Sequence, residues 1–428
     1  MSKITSNYDS VISLLTSWGN IVNKPTTVSG FGITDAITNP VSSSQGDILI
    51  RGETDWTRLP AGNAGQYLQT QGSTANPVWD NPIANIVEVV IASLPTHYSR
   101  DTKWAQKTNV RTSLTSPSTL AVNINNNGYI LNSSIDIDIT STTSWDATSP
   151  TNYTTASNRS GKDFYIYACQ PSSGTTPVFK LSVNSTVPTG YTASNSRKIG
   201  GFHCLCTAVG TISGHTLTGY AAGDILPASV WDLLHKPKSS PEGMVYVDSI
   251  GLWVDIYLSS VSGSTLVSVN GATIADGASA VKFHWYKGAE WLGRTKKRLL
   301  FQNEFFQASA GANQSTNITG SADPNTTTGH TDTAGRRMIS NYGLEDTCGV
   351  LCQWGMDSLS GGADSWAYAY DANDAGVGGQ HYRPPNRVLL GGPWADGVLC
   401  GSRGCLGVYG PLFLGSNCGL RGCAEPGI

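Results

Sequence analysis

Residues 386–428 read NRVLLGGPWADGVLCGSRGCLGVYGPLFLGSNCGLRGCAEPGI, a stretch with no lysine and two carboxylates, Asp396 and Glu425. Gly391, Gly392, Gly401, Gly410, Gly415, Gly419 and Gly422 cut it into pieces too short for a helix. The residues between the glycines follow neither a strand period nor a helix period, and their character is mixed: Pro393, Ala395, Leu399, Val408, Tyr409, Phe413, Asn417 and Cys418. A segment of this kind holds a shape only if a rigid frame elsewhere braces it. What it then offers is side chains at a surface, which points to recognition rather than catalysis.

The rest of the chain narrows the partner. Its 428 residues suggest several domains with at least one sizeable core. Charged residues make up 13% and the net charge is -3, so no electrostatic footprint for nucleic acid or for a membrane surface is present. Lys296-Lys297-Arg298 is the one basic run, read as a solvated helix start. No stretch of about 18 apolar residues would span a membrane. The opening MSKITSNYDSVISLL lacks the features of a secretory leader. Nine cysteines, an odd number in a large chain, argue against a disulfide framework. Cys348/Cys352 and Cys400/Cys405 have loose zinc-like spacing, but buried, inert thiols fit better, and neither a metal nor another cofactor is expected.

Along the chain, residues 9–23 place Val11, Leu14, Leu15, Trp18, Ile21 and Val22 on one face of a short amphipathic helix. From 86 to 220 the pattern is β: Ile135, Ile137 and Ile139 alternate with Asp136 and Asp138, Asn127-Gly128 signals a hairpin, and 164–167 and 178–183 are further strands. Turns rich in Ser, Thr and Pro suggest a sandwich. Beyond 221 the texture is mixed. A strand and a short helix start near Pro227 and Ser229, a hairpin carries Met244, Tyr246, Trp253, Asp255 and Tyr257 around the turn 249–251, and 297–309 reads as a helix.

Several segments resemble bacteriophage fibre proteins. Lys24 to Ile37, KPTTVSGFGITDAI, looks like a tail-fibre element, and Gly46 to Asp80 looks like a second one. SRKIGGFH (196–203), GDILPASVWDL (223–233), SPEGMVYV (240–247), WVDIYL (253–258), ADPNTTTGHTDTAGRRMIS (322–340) and the tail RVLLGGPW…CGSRG…GP…GLRG resemble the phage major tropism determinant family. The resemblance covers roughly 190–428. It implies a receptor-binding protein at the tip of a tail fibre, with a C-terminal C-type lectin domain, a homotrimeric assembly, and a variable region rewritten by a diversity-generating retroelement. NYGLEDTCGVLCQW (341–354) and RVLLGGPW also resemble the formylglycine-generating enzyme superfamily, which shares this fold, but Cys352-Gln353-Trp354 replaces its acidic-Trp pair. Trp394-Ala395-Asp396 is only a partial match to a calcium-lectin triplet, and one Asp cannot supply the several oxygens calcium takes.

The expected architecture is therefore α+β and multidomain. An N-terminal helix and attachment element spans 1–37, a β-rich fibre connector 38–85, a β-sandwich 86–220, and a C-type lectin (formylglycine-generating-enzyme-like) domain 221–428 with its variable region at 386–428. By the resemblance, the variable, receptor-contacting positions are Pro393, Ala395, Asp396, Gly397, Leu399, Leu406, Val408, Tyr409, Phe413, Gly415, Asn417 and Cys418. None is Lys, Glu, Gln, Met or Trp, the types that adenine mutation of AAC-type codons cannot give. The scaffold between them is Trp394, Gly401, Ser402, Arg403, Arg421 and Gly422. Trp394 should be buried with its indole N–H bonded, and both arginines should tie loop carbonyls. Tyr409 and Phe413 are the leading anchors.

The implied setting is the virion, with the chain made in the cytoplasm of the bacterial host. Its partners there are a cell-surface protein or polysaccharide receptor and, through the N-terminus, other tail proteins, with no nucleic acid and no membrane insertion. Two rival classes stand beside this reading. A tail enzyme, either a glycosidase or a formylglycine-type oxidase, would draw on Asp323, Asp332, Glu345, Asp346 and Asp364, or on a His330–Asp332 pair, although loop capping explains these residues too. The third class is a purely structural fibre segment.

Overall fold

In the computed structural model the structure describes residues 30, 44–80, 96–147, 152–359, 366–368 and 380–427. The helix read at 9–23 and nearly all of the element at 24–37 lie outside these residues, as does Asp364. The chain separates into two compact units, 1–86 and 87–428.

The first unit contains two antiparallel hairpins, Ile48–Arg51 with Trp56–Leu59 and Tyr67–Gln69 with Val78–Asp80. Strands this short cannot bury a core of their own, and polar ties supplement them. Asp47 accepts from the amides of Ser44 (2.6 Å) and Ala61 (2.9 Å) and pairs with Arg58 at 2.9 Å. The Trp79 indole donates to the Pro60 carbonyl at 2.6 Å, linking the hairpins.

The second unit is mostly β with few helices. Its first part carries three small sheets: Tyr98–Arg100, Leu120–Ile124 and Asn127–Leu131; Ala105–Gln106, Ser113–Thr115 and Asp136–Asp138; and Val178–Ser182, Asp163–Cys169, Ser196–His203 and Trp231–Asp232. Their inward residues share one apolar cluster that includes Trp104, Leu114, Val122, Ile139, Phe164, Phe179 and Val230. Trp104 meets Phe179 edge-on at 5.2 Å. The alternation read at 135–139 holds from 136 on: Ile137 and Ile139 are buried, while Asp136 and Asp138 face solvent, where Asp136 pairs with Lys107; Ile135, ahead of the strand, is exposed. The Asn-Gly signal found the hairpin but misplaced its turn. Asn125 and Asn126 hold the left-handed conformation (φ 50° and 64°), and Asn127-Gly128 already belongs to the returning strand. Asparagine tolerates that conformation well enough to displace glycine from the corner.

In the second part, the hairpin read at 244–257 forms with Met244 opposite Asp255 and Tyr246 opposite Trp253. Leu252–Asp255 also pairs with Gly422–Ala424, which in turn pairs with Arg298–Leu299. Another sheet runs in the order Cys405–Tyr409, Asn386–Leu390, Cys352–Leu359, Cys418–Gly419, the last pair parallel. Helices Trp285–Arg294 and Gln302–Ala308 complete it. The helix read at 297–309 is therefore two elements. Lys297 is buried with its ammonium 2.6 Å from Asp255, and Arg298 is drawn into the sheet and bonded to Glu304, so this basic run is not a solvated helix start. The helix begins only at Gln302, where Glu304 caps the Phe301 amide at 2.8 Å.

Candidate functional site: a displayed surface on a bonded frame

The segment 391–418 follows an irregular path that backbone hydrogen bonds fix at many points. Gly349 donates to the Gly392 carbonyl (2.9 Å), Trp394 to Val350 (2.8 Å), Gly391 to Gly404 (2.9 Å), Gly401 to Gly391 (3.1 Å), Ser315 to Cys400 (2.7 Å), and Cys352 to Asn417 (2.9 Å). Asn317 donates through its side-chain amide to the Trp394 carbonyl. Gln314 meets Ser402 twice, accepting from its amide at 3.2 Å and donating to its hydroxyl at 3.1 Å. Gly391 and Gly392 turn through φ 87° and 79°, and a Cβ on Gly392 would lie 2.9 Å from the Cys400 sulfur. Only glycine fits there.

Arg421 is the keystone. It is 1% exposed, and its guanidinium donates to Gln353 Oε1 (2.8 Å) and to the carbonyls of Asp255 (2.7 Å), Ile256 (2.6 Å) and Glu345 (2.6 Å). Burial lowers its pKa to about 10, so it stays charged at neutral pH, supported by the nearby Asp346 and Asp255. Gln353 completes the link by donating to the Thr347 carbonyl at 2.8 Å. A neutral amide at this position accepts from the arginine and donates to the backbone at once, which a carboxylate cannot do. Gly422 donates to Asp255 at 3.1 Å, and a Cβ on it would crowd Asp255 and Leu292.

Trp394 and Arg403 behave differently from expectation. Trp394 is half-buried, not buried, and its indole N–H has no hydrogen-bond partner among the described residues; it packs against an apolar cluster that includes Ile318, Val350 and Leu351. Arg403 is exposed and ties no carbonyl among the described residues; the backbone bonds of Gly401 and Gly404 already fix this corner.

The twelve receptor-contact positions also divide. Ala395, Leu399 (71% exposed), Leu406 and Val408 (62%) are exposed. Asp396, Gly397, Tyr409, Phe413, Gly415 and Asn417 are half-buried. Pro393 and Cys418 are buried and display nothing. Pro393 sits where the loop enters the frame, and Cys418 lies in the parallel pairing with Cys352, where burial raises its thiol pKa to about 12. Tyr409 and Phe413 stack face to face, 3.8 Å between centroids and 13° from parallel, with their inner edges on the core. The strand Cys405–Tyr409 shifts register against Asn386–Leu390, with Leu406 opposite Leu389 and Tyr409 opposite Arg387. One extra residue is accommodated at Gly407–Val408, a bulge that re-aims the neighbouring side chains. Sequence reading missed the exposed Val398 (76%) and Leu414 (43%), since no period runs through this loop to reveal which way they point.

The acidic residues considered for catalysis are engaged elsewhere. His330 bonds Asp346 at 2.8 Å rather than Asp332. Asp332 accepts from the amides of Ala334 and Arg336 and the Thr316 hydroxyl, and Glu345 is held by Arg337 at 2.8 Å. Asp332, Glu345 and Asp346 are each at most 1% exposed. Asp323 caps the Asn325 amide. Of the paired cysteines, Cys348, Cys352 and Cys400 are buried and Cys405 is exposed; burial raises the thiols of Cys348 and Cys400 to about 12 and 11.

Comparison with known proteins places this mostly β chain among phage receptor-binding proteins. Residues 113–232 match the family described as Mtd second domain. The tail fibre receptor-binding protein of Bordetella phage BPP-1 is 32% identical over 284 residues, 62% of this chain and 71% of that protein. Among solved structures, the major tropism determinant I1 variant matches with a TM-score of 0.62 at 26% identity, over 77% of this chain and 86% of that one. The U1 variant gives 0.59 at 26% identity, over 79% and 85%. The chain belongs to the major tropism determinant family of phage tail-fibre receptor-binding proteins.

Proposed function

We propose that this chain is a tropism determinant at the tip of a phage tail fibre and adsorbs the virion to a receptor on the bacterial surface. One observation carries the reading: exposed Ala395, Leu399, Leu406 and Val408 ride on a backbone fixed by main-chain bonds and by Arg421, none of which depends on their identity. Side chains can then change without cost to the fold. The twelve positions are the ones a retroelement would diversify, ten of them at least partly exposed and two, Pro393 and Cys418, buried. The receptor-binding part is a C-type lectin domain of the formylglycine-generating-enzyme type at 221–428, carried by a sandwich at 86–220, a connector at 38–85 and an attachment segment at 1–37 that meets other tail proteins. A homotrimer would point three such sites at one cell, so a weak single contact suffices by avidity.

Exchanging the twelve side chains between two natural variants and scoring adsorption tests this. A host range that follows the exchanged residues supports it, and an unchanged host range overturns it in favour of a structural segment. The enzyme alternative has little support, because Asp332, Glu345 and Asp346 are buried and already bonded. Release of oligosaccharide from surface polysaccharide incubated with the protein would revive it.

A further inference from the structure

Away from the C-terminal segment, a polar cleft of about 620 Å³ opens between the turn 106–111 and the loop 216–224. That volume falls inside the range of about 300–1,000 Å³ that small-molecule sites occupy. Its walls are tied to each other. Gln106 donates to the carbonyls of Arg111 (3.2 Å) and Ile225 (2.7 Å) and accepts from the Tyr220 hydroxyl at 2.7 Å. The Arg111 guanidinium donates to the carbonyls of Thr218 (3.1 Å) and Gly219 and lies over the Tyr220 ring, 4.4 Å from its centroid. The long side chains are held in place before any ligand arrives, which lowers the cost of ordering them on binding.

Hydrogen-bonding capacity is nevertheless left over in the lining. Asp224 is 9% exposed, and its Oδ2 accepts from the Ala221 amide at 2.8 Å. Its Oδ1 receives no hydrogen bond among the described residues, and a buried carboxylate oxygen without a donor calls for a partner. On the facing turn Asn109 is exposed at φ 62°, and its amide, donor and acceptor at once, is bonded to no other described residue. An anion would meet the Asp224 carboxylate, while the Arg111 guanidinium is already engaged by two carbonyls and a ring. A metal ion would find one carboxylate, and no cluster of three ligating side chains exists among the described residues. A sugar hydroxyl fits both groups, since it donates to Asp224 and accepts from Asn109, and the Val110 side chain and the Tyr220 ring offer apolar surface to its C–H groups. We propose that this cleft is a saccharide site that takes a neutral oligosaccharide, with Asp224 and Asn109 as its hydrogen-bonding residues. None of its lining residues belongs to 386–428, so it is a second site, separate from the receptor loop.

The test is binding of the labelled full chain to an array of neutral and acidic oligosaccharides, and to polysaccharide purified from cells of the strain on which its phage plates. Neutral glycans should be retained. Retention by the purified polysaccharide assigns the ligand to the cell envelope, and retention by array glycans alone assigns it to free oligosaccharides. Asp224→Asn should weaken the affinity about tenfold, the effect of losing a hydrogen bond to a charged group. Asn109→Gly should weaken it about fivefold with the melting temperature of the parent, because glycine accepts the positive φ and only an exposed amide is lost. No retention of any glycan overturns the site, as does an affinity within about twofold of the parent in either variant. Retention of acidic glycans alone overturns the neutral class.

Discussion

Arg421 and Arg403 occupy similar sequence surroundings, Leu-Arg-Gly and Ser-Arg-Gly, and meet opposite fates. Arg421 joins Cys418–Gly419 to Gly422–Ala424, two strands that belong to different sheets, and its fork closes the gap between them. Arg403 stands before Cys405–Tyr409, an edge strand with one neighbour, and extends into solvent. A glycine-flanked arginine is thus a brace only where sheets converge on both sides of it. The same contrast runs through the whole segment, between buried residues bonded into a frame and exposed side chains carried on it.

The sharpest way to break that division is Arg421→Ala, which strands three carbonyls and Gln353 in the interior. A loss of about 3–5 kcal/mol is expected in denaturant unfolding, enough to abolish a marginal domain. Arg421→Lys should recover only part of it, since an ammonium cannot reproduce the planar fork. Gly392→Ala comes next. Its positive φ and the Cys400 contact should cost about 1–3 kcal/mol, read as a lowered melting temperature.

A smaller effect has a definite pH sign. Burial pulls the His330 pKa down, but its hydrogen bond and attraction to Asp346 outweigh that and raise it above the ordinary value of about 6.5. Its contribution is therefore full below about pH 6.5 and disappears as pH rises through the folded-state pKa. The stability gap between parent and His330→Gln should shrink along that course, and a gap that widens toward alkaline pH would refute the pairing. Least of all, Arg403→Ala should move stability by no more than about 0.5 kcal/mol. A larger loss would mean that the display is also frame.

Periodicity made the regular parts legible. The strand at 178–182 could be read from its alternation, and the strand at 164–167 and the hairpin at 244–255 from short apolar runs whose two faces are both buried. Where the deciding partner is distant in sequence, the reading failed. Lys297 leaves the helix pattern because Asp255 draws it inward, and Cys418 is buried because Cys352 pairs with it. At the site, glycine spacing marked the loop, and the family resemblance pointed to Arg421 and to the exposed Leu399, Leu406 and Val408. Nothing local distinguished Trp394 or Arg403 from true frame members, nor marked Val398 as outward. Those directions are set by backbone bonds from 315, 349 and 350, which leave no trace in side-chain order.

The bonds at Gly391, Gly401 and Gly404 carry one more implication. Each joins a particular pair of residues, and both ends of the loop are anchored in sheets. Inserting or deleting a residue between them would put every downstream link out of step, whereas exchanging an exposed side chain such as Leu399 or Val408 leaves these main-chain links in place. A change that keeps this frame is therefore confined to spelling changes at constant word length.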